Sequence, residues 1–257
     1  LYIEVDGIRD LLMGLVGSEM CIRDRAIGLR RAVESGQLAL EDYSNLAMPL
    51  RLLAGALGWP FAPATVNIGS DIQDRSAFAP DEYPAKSKIP LVTDPFSGRT
   101  IGALSPLTPD VAAIHVTLAD KAGNSIMLGS EWSRFELSRA AKKVVIIADS
   151  IVDTACMRQF PNLVRIPDIV VEAVVHWPFA AWPQGSPGLY DIDEDHMTAM
   201  NKALASEDGT QAYLRDHVHA YDDVESYLDM IGRDKTQALS QTSTAFLLDP
   251  FRQWIIR

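Results

Sequence analysis

Residues able to do chemistry are spread thinly along this chain. Gly69-Ser70-Asp71 places a hydroxyl and a carboxylate directly after a glycine, so a turn there would offer backbone N–H groups and an Oγ to an anion. Taken alone, the same triplet is also an ordinary glycine turn. His115 stands inside an apolar run, where a histidine is either a satisfied core residue or an acid–base group. Asp120-Lys121-Ala122-Gly123-Asn124 follows that run and reads as a tight turn, because Gly and Asn tolerate positive φ; Asp94-Pro95-Phe96-Ser97-Gly98 reads as another. The histidines, His115, His176, His196, His217 and His219, show no ligand spacing, and His217 and His219 would face different sides of a helix, so no metal site is expected. Asp191, Asp193, Glu194 and Asp195 lack the alternating ligands and central glycine of a calcium loop, and read as solvated acids at a helix N-terminus. Cys156 has only Arg158 as a basic neighbour and reads as packing. The chain carries no GxGxxG, Walker, HExxH or GxSxG signature.

The elements that must position these residues follow from periodicity. Ala26 to Glu34 reads as a helix stopped by Ser35-Gly36. Glu41 to Leu57 reads as another, with Leu46, Leu50, Leu53, Ala54 and Leu57 on one face, Gly58 in the capping place and a kink expected at Pro49. Residues 61 to 90 lack a period and read as a long functional loop with short strands at its ends. Ile89 to Thr93, Val111 to Thr117, Lys143 to Ala148 and Ile169 to Val175 are close to continuously apolar, as strands covered on both faces are. Glu131 to Lys142 reads as a helix with Ser130 as N-cap. This alternation predicts an α/β fold with a mostly parallel sheet flanked by helices. Polar helices over roughly 194–204, 208–218 and 221–231 predict a C-terminal helical segment.

Composition bounds the function. The chain has 257 residues, 23 Lys plus Arg against 34 Asp plus Glu, and a net charge of −11. That excess of acid argues against nucleic acid or an anionic membrane surface as partner, since both need a basic face. No apolar run approaches the roughly 20 residues of a membrane span. Two cysteines, Cys21 and Cys156, form neither a metal spacing nor a disulfide framework, which points to a reducing compartment and a cytoplasmic protein.

Residues 1 to 25 stand apart. They begin with Leu and carry Glu4, Asp6 and Asp10 before any apolar run, unlike a secretory signal. Residues 15 to 25, LVGSEMCIRDR, resemble one translated frame of a transposase-type sequencing adapter, so 1–25 is expected to be a non-native segment and 26–257 the functional domain. Without the three basic and five acidic residues of that segment the charge is −9.

Read in order, the motifs resemble one family. Glu41-Asp42-Tyr43-Ser44, the run Arg51 to Phe61, Ile68-Gly69-Ser70-Asp71-Ile72, Asp94 to Gly98, Pro109 to His115, Ala119 to Asn124 and Val170 to Val175 are similar to the alpha subunits of family I CoA-transferases of the glutaconate type. The resemblance implies the α/β fold shared with sugar-phosphate isomerases, and a hetero-oligomer of alpha and beta subunits with the active site at their interface. It implies CoA exchange between an acyl-CoA and a carboxylic acid through a glutamyl-CoA thioester on the beta subunit, with a coenzyme A thioester as substrate, no permanently bound cofactor and no catalytic nucleophile in this chain. Gly69, Ser70 and Asp71 become the first candidates for the substrate carboxylate or the oxyanion. Ser44 and Asn45 come next: a ring-opening hydrolase branch is expected to carry a glutamate about there, and its absence favours transferase over hydrolase; a non-catalytic interaction subunit is the other alternative. His115 and Asn124 gain some functional weight beside their structural reading. The family's opening strands and Gly-rich loop have no counterpart in residues 1–25, so a truncated sheet is expected.

Overall fold

The computed structural model describes residues 27–37, 41, 43–74 and 87–256, and the segment read as non-native, 1–25, lies outside the described residues. The chain divides into two compact units.

The first unit comprises residues 32–112 and 132–142. Its centre is α2 (Ala47–Leu57), which packs on α4 (Arg134–Ala140). Helix α2 starts at Ala47, which leaves Pro49 in the first turn; N–H groups there lack an intrahelical partner anyway, so the expected kink has no cause. Gly58 ends the helix at φ 67°, donating to the carbonyls of Ala54 and Gly55. The buried face differs from the expected one: Leu46 and Leu57 are more than half exposed, whereas Arg51 and Leu52 are buried. Arg51 is tolerated because its guanidinium donates to the Ser105 carbonyl at 3.0 Å and to Ser105 Oγ at 3.2 Å, and lies 4.1 Å over the Tyr43 ring. Strands β1 (Ala62–Ala64), β2 (Leu91–Thr93) and β3 (Thr100–Leu104) form an antiparallel sheet in the order β1-β3-β2. Ile89 and Leu104 from this sheet region meet Ala47, Ala54 and Ala62 in one apolar cluster. Helix α3 (Asp71–Asp74) is a single turn. The Asp94 to Gly98 turn joins β2 to β3, with Asp94 Oδ1 accepting the Phe96 N–H at 3.0 Å.

The second unit comprises residues 27–31, 113–131 and 143–256 among those described. Its sheet orders β4 (Val111–Ala119), β5 (Ser125–Ile126), β6 (Lys143–Ile151), β7 (Val164–Ile166) and β8 (Ala173–His176) as β7-β5-β4-β6-β8. The α/β class holds, but the expected mostly parallel sheet is mixed. The five-residue Asp120 to Asn124 connection forces β5 antiparallel to β4, and β7 runs antiparallel to β5; β6 and β8, separated by a long connection, are parallel. Strand burial corrects a second expectation. In β4, Val111 and Ala113 are exposed, so only its later half is covered on both faces. Ile169 is 88% exposed on a 3-10 turn (Asp168–Val170) before β8, which lies at the sheet's edge.

Leu118, Ile126 and Val152 pack against Cys156 and Met157 of α5 (Thr154–Gln159) and against Leu248 and Phe251 of a C-terminal 3-10 segment (Ala245–Trp254). Burying a side chain such as Leu118 or Ile126 contributes about 1.5–3 kcal/mol. The chain end is pinned to the sheet by Ile256 N–H on the Ile151 carbonyl and Asp153 N–H on the Trp254 carbonyl. The C-terminal helical segment consists of α6 (Glu194–Ala203), α7 (Glu207–His217), α8 (Val224–Ile231) and α9 (Arg233–Leu239), the first three capped by Asp193, Ser206 and Asp223. Glu207 of α7 takes Arg31 of α1 (Ile27–Glu34) in a 2.7 Å ion pair.

Candidate functional site

In the first unit the sequence candidates gather on a residue that sequence reasoning missed. Asn67, at φ 68°, is the hub of the loop between β1 and α3; its short polar side chain suits that backbone because it bonds locally. The Asn67 carbonyl accepts the Ser70 N–H at 3.2 Å and the Ser70 hydroxyl at 2.7 Å, and its Oδ1 accepts the Ser44 hydroxyl at 2.7 Å. Ser44 Oγ in turn accepts the Ala47 N–H at 3.2 Å, so this serine also starts α2. Gly69, at φ 74°, donates its N–H to Gln73 Oε1 at 2.8 Å. Asn45 is exposed beside Ser44, and Asp71 is exposed at the start of α3. Ser44, Gly69 and Ser70 are thus brought together, with a chemical condition attached. A carboxylate only accepts, so one binding here would take the Ser70 O–H only by displacing the Asn67 carbonyl.

The second unit holds the other two candidates, and they fare differently. Both ends of the Asn124 amide are used within the fold: Nδ2 donates to Asp120 Oδ2 at 3.0 Å and Oδ1 accepts the Asp168 N–H at 3.1 Å. His115, on β4, instead meets a partner across the sheet. Its Nε2 lies 2.7 Å from Oδ2 of Asp149 on the neighbouring strand β6; the His115 side chain is 24% exposed and that of Asp149 1%. Asp149 Oδ1 accepts the Tyr190 hydroxyl at 2.9 Å and the Ala180 N–H at 3.1 Å. The Tyr190 oxygen accepts the Ala181 N–H at 3.0 Å, which commits the phenol's own proton to Asp149. Burial, then the Asp149 charge, push the Tyr190 phenol far above its ordinary range, so it stays a donor. Phe179 stacks on Tyr190 at 4.2 Å and receives the Tyr227 hydroxyl on its carbonyl at 2.7 Å. The one sequence signal for Asp149 is an acid closing an apolar strand, and Tyr190 has none beyond its place at the end of the run Gly185 to Tyr190.

A separate titratable cluster joins α6 to α7. His196 Nε2 pairs with the Tyr213 hydroxyl at 2.9 Å, and its ring lies 4.0 Å from Trp182 and 5.1 Å from His217, on which Tyr213 stacks. Burial, and then the neighbouring His217, hold His196 below the ordinary imidazole range; burial pushes Tyr213 up to about 12. Burial works against ionised Asp193, yet Lys235 at 2.9 Å, the His196 N–H and Trp182 Nε1 hold its carboxyl low. Among the described residues no three His, Cys, Asp or Glu side chains form a metal-binding group, and no helix is long and apolar enough to cross a membrane.

Comparison with known proteins gives this geometry a context. The family model described as coenzyme A transferase matches residues 4–176, a span that begins inside the segment read as non-native. An uncharacterized protein of Archaeoglobus fulgidus is 35% identical over 207 residues, covering 80% of this chain and 44% of its own length. A glutaconate CoA-transferase chain of Acidaminococcus fermentans is 29% identical over 209 residues, covering 79% of this chain and 65% of its own length. The chain therefore spans about half to two thirds of these relatives. The crystal structure of the glutaconate coenzyme A-transferase from the same organism superposes with a TM-score of 0.78 at 27% identity, over 84% of this chain and 70% of that one.

Proposed function

The chain belongs to the coenzyme A transferase family, and we propose that it is the alpha-type subunit of an enzyme moving CoA between an acyl-CoA and a carboxylic acid in the cytoplasm. The observation that carries this reading is the likeness to glutaconate CoA-transferase, which extends over 84% of the chain. Its beta-type partner supplies a glutamate that attacks the thioester. CoA leaves and returns to give a glutamyl thioester, and the acceptor acid repeats the sequence, so two acyl transfers replace one difficult displacement. This chain provides pocket wall and hydrogen-bond donors, chiefly Gly69 and Ser70 with Asp71 orienting, then Ser44 and Asn45. The coenzyme A thioester is substrate rather than resident cofactor.

The test pairs the chain with a beta-type subunit. Labelled acetate or a dicarboxylate should enter the acyl-CoA pool; release of free CoA without incorporation would assign a hydrolase instead, and inertness would refute both. In the active pair, Ser70→Ala should lower kcat about 100- to 1000-fold at unchanged melting temperature, the range for losing one oxyanion donor. Unchanged kinetics would remove Ser70 from the pocket.

A further inference from the structure

Asp149 and Tyr190 leave His115 one arrangement. A carboxylate only accepts, and Asp149 already takes the Tyr190 O–H and the Ala180 N–H on Oδ1, so the contact on Oδ2 is a donation from the His115 Nε2–H. Nε2 is thereby fixed as a donor, which leaves Nδ1 as the nitrogen that gains or loses a proton. Nδ1 has no hydrogen-bond partner among the described residues, and the ring is partly exposed while its anchor is buried. A histidine held by a buried acid, with its other nitrogen open, is built to exchange a proton, as a His needed only for packing is not. The titratable groups facing it are Asp149 from β6 and, behind Asp149, Tyr190 and Tyr227.

What proton it would exchange follows from the chemistry of CoA transfer, so this inference rests on the function proposed above. Donor and acceptor carboxylates and a glutamate nucleophile all react as anions and have no proton to give. The CoA sulfur is the group whose protonation can change: it leaves the thioester as a thiolate, a thiol titrates near pH 8.5, and only the thiolate is a competent nucleophile, so a proton gained on departure must be removed for the return attack. We propose that His115 Nδ1 gives its proton to the CoA sulfur as the thioester C–S bond breaks and takes it back as that sulfur attacks the acyl anhydride, with Asp149 and Tyr190 as positioning residues. The C–S bond forms, the C–O bond of the acyl anhydride breaks, and its electron pair leaves with the departing carboxylate. The proton is then back on imidazole, and the same exchange serves the second half-reaction, so none is gained or lost over a turnover.

Three measurements test this. In the chain alone, 15N NMR should show neutral His115 as the Nε2–H tautomer, and Asp149→Asn should turn it into a mixture; an Nδ1–H tautomer in the wild type overturns the geometry whatever the activity. In the active pair, His115→Gln keeps an N–H donor for Asp149 and so should keep its melting temperature, while kcat falls about 10²- to 10⁴-fold at little-changed KM. Asp149→Asn should cost about 10- to 100-fold, the range for removing a residue that orients another. Added imidazole should recover part of the rate of His115→Ala, a gain that a packing role would not give. Wild-type turnover by His115→Gln overturns the proposal and leaves the transferase reading intact. Absence of CoA exchange in the wild type removes the thiol assignment together with that reading, while the tautomer result stands.

Discussion

Substituting Asp120 isolates what the turn after β4 contributes to the sheet that carries His115. Asp120 is fully buried, and its Oδ1 accepts the N–H groups of Ala122, Gly123 and Asn124 at 3.0, 2.9 and 3.0 Å while Oδ2 accepts Asn124 Nδ2 at 3.0 Å. Asp120→Ala removes all four, but they are not equally missed. Ala122 is exposed, so its N–H turns to water, and the Gly123 N–H keeps the Asp120 main-chain carbonyl at 3.1 Å. The uncompensated loss is therefore the Asn124 main-chain N–H and its amide. Bonds to a charged acceptor are worth about 1.5–3 kcal/mol each, so the two uncompensated ones give roughly 3–6 kcal/mol for Asp120→Ala. Asp120→Asn keeps Oδ1 but sets an NH2 against the Asn124 NH2. Relief by flipping Asn124 would forfeit the Asp168 N–H bond at 3.1 Å, so about 1–2 kcal/mol is expected. Urea unfolding should rank wild type above Asp120→Asn above Asp120→Ala, and a double-mutant cycle with Asn124→Ala should show coupling of about 0.5–3 kcal/mol. A loss below about 0.5 kcal/mol for Asp120→Ala, or no coupling, would refute the assignment of the turn's stability to this carboxylate.

Two further outcomes follow from packing and charge. Gly55→Ala places a Cβ 2.2 Å from the Leu107 carbonyl oxygen, on backbone fixed by the Leu107 N–H to the Arg51 carbonyl at 3.0 Å. Overpacking of about 1–3 kcal/mol outweighs a helix-propensity gain near 1 kcal/mol, so thermal unfolding should come earlier, and a raised melting temperature would contradict the close approach. For His196 the pKa is depressed in the folded state from its ordinary 6.5, so the unfolded chain binds more protons: stability is fully present above about pH 6.5 and is lost as pH falls from there toward the folded value. Urea midpoints from pH 7.5 to 5.5 should fall in the wild type and fall less in His196→Gln; equal slopes would show that the imidazole is not held neutral by its burial between Trp182 and His217.

The helices were legible where a stop is chemically specific. Ser35-Gly36 and Gly58 end α1 and α2 as expected, and the acids before α6 cap it. Strand positions were legible for β4 and β6, whose branched apolar runs are long, and illegible for β3, β5 and β7, which span only two to five residues and carry too few to show a period. Direction was lost for a related reason. Pattern alone suggested helix-linked parallel strands, whereas the five residues from Asp120 to Asn124 leave room only for a reversal. The sequence does not mark Arg51 as buried, because a charge on an apolar helix counts as a surface mark until its partners, Ser105 and the Tyr43 ring, are known.

Chemistry was legible in proportion to its closeness along the chain. Gly69 and Ser70 are adjacent, so a glycine-turn reading found them, though not the Asn67 carbonyl that occupies the Ser70 proton. His115 and Asp149 are 34 residues apart and Tyr190 lies 41 beyond Asp149, and periodicity says which residues share a strand face but not which strands are neighbours. Strand order alone converts His115 from an ambiguous core histidine into one whose Nε2 is fixed as a donor. This orders the candidates physically. In the proposed function a carboxylate would have to compete with Asn67 for the Ser70 proton, whereas His115 Nδ1 has no bond to break among the described residues. The proposed roles differ accordingly: the histidine is open to proton exchange as it stands, and the serine would act only once substrate had displaced its internal acceptor.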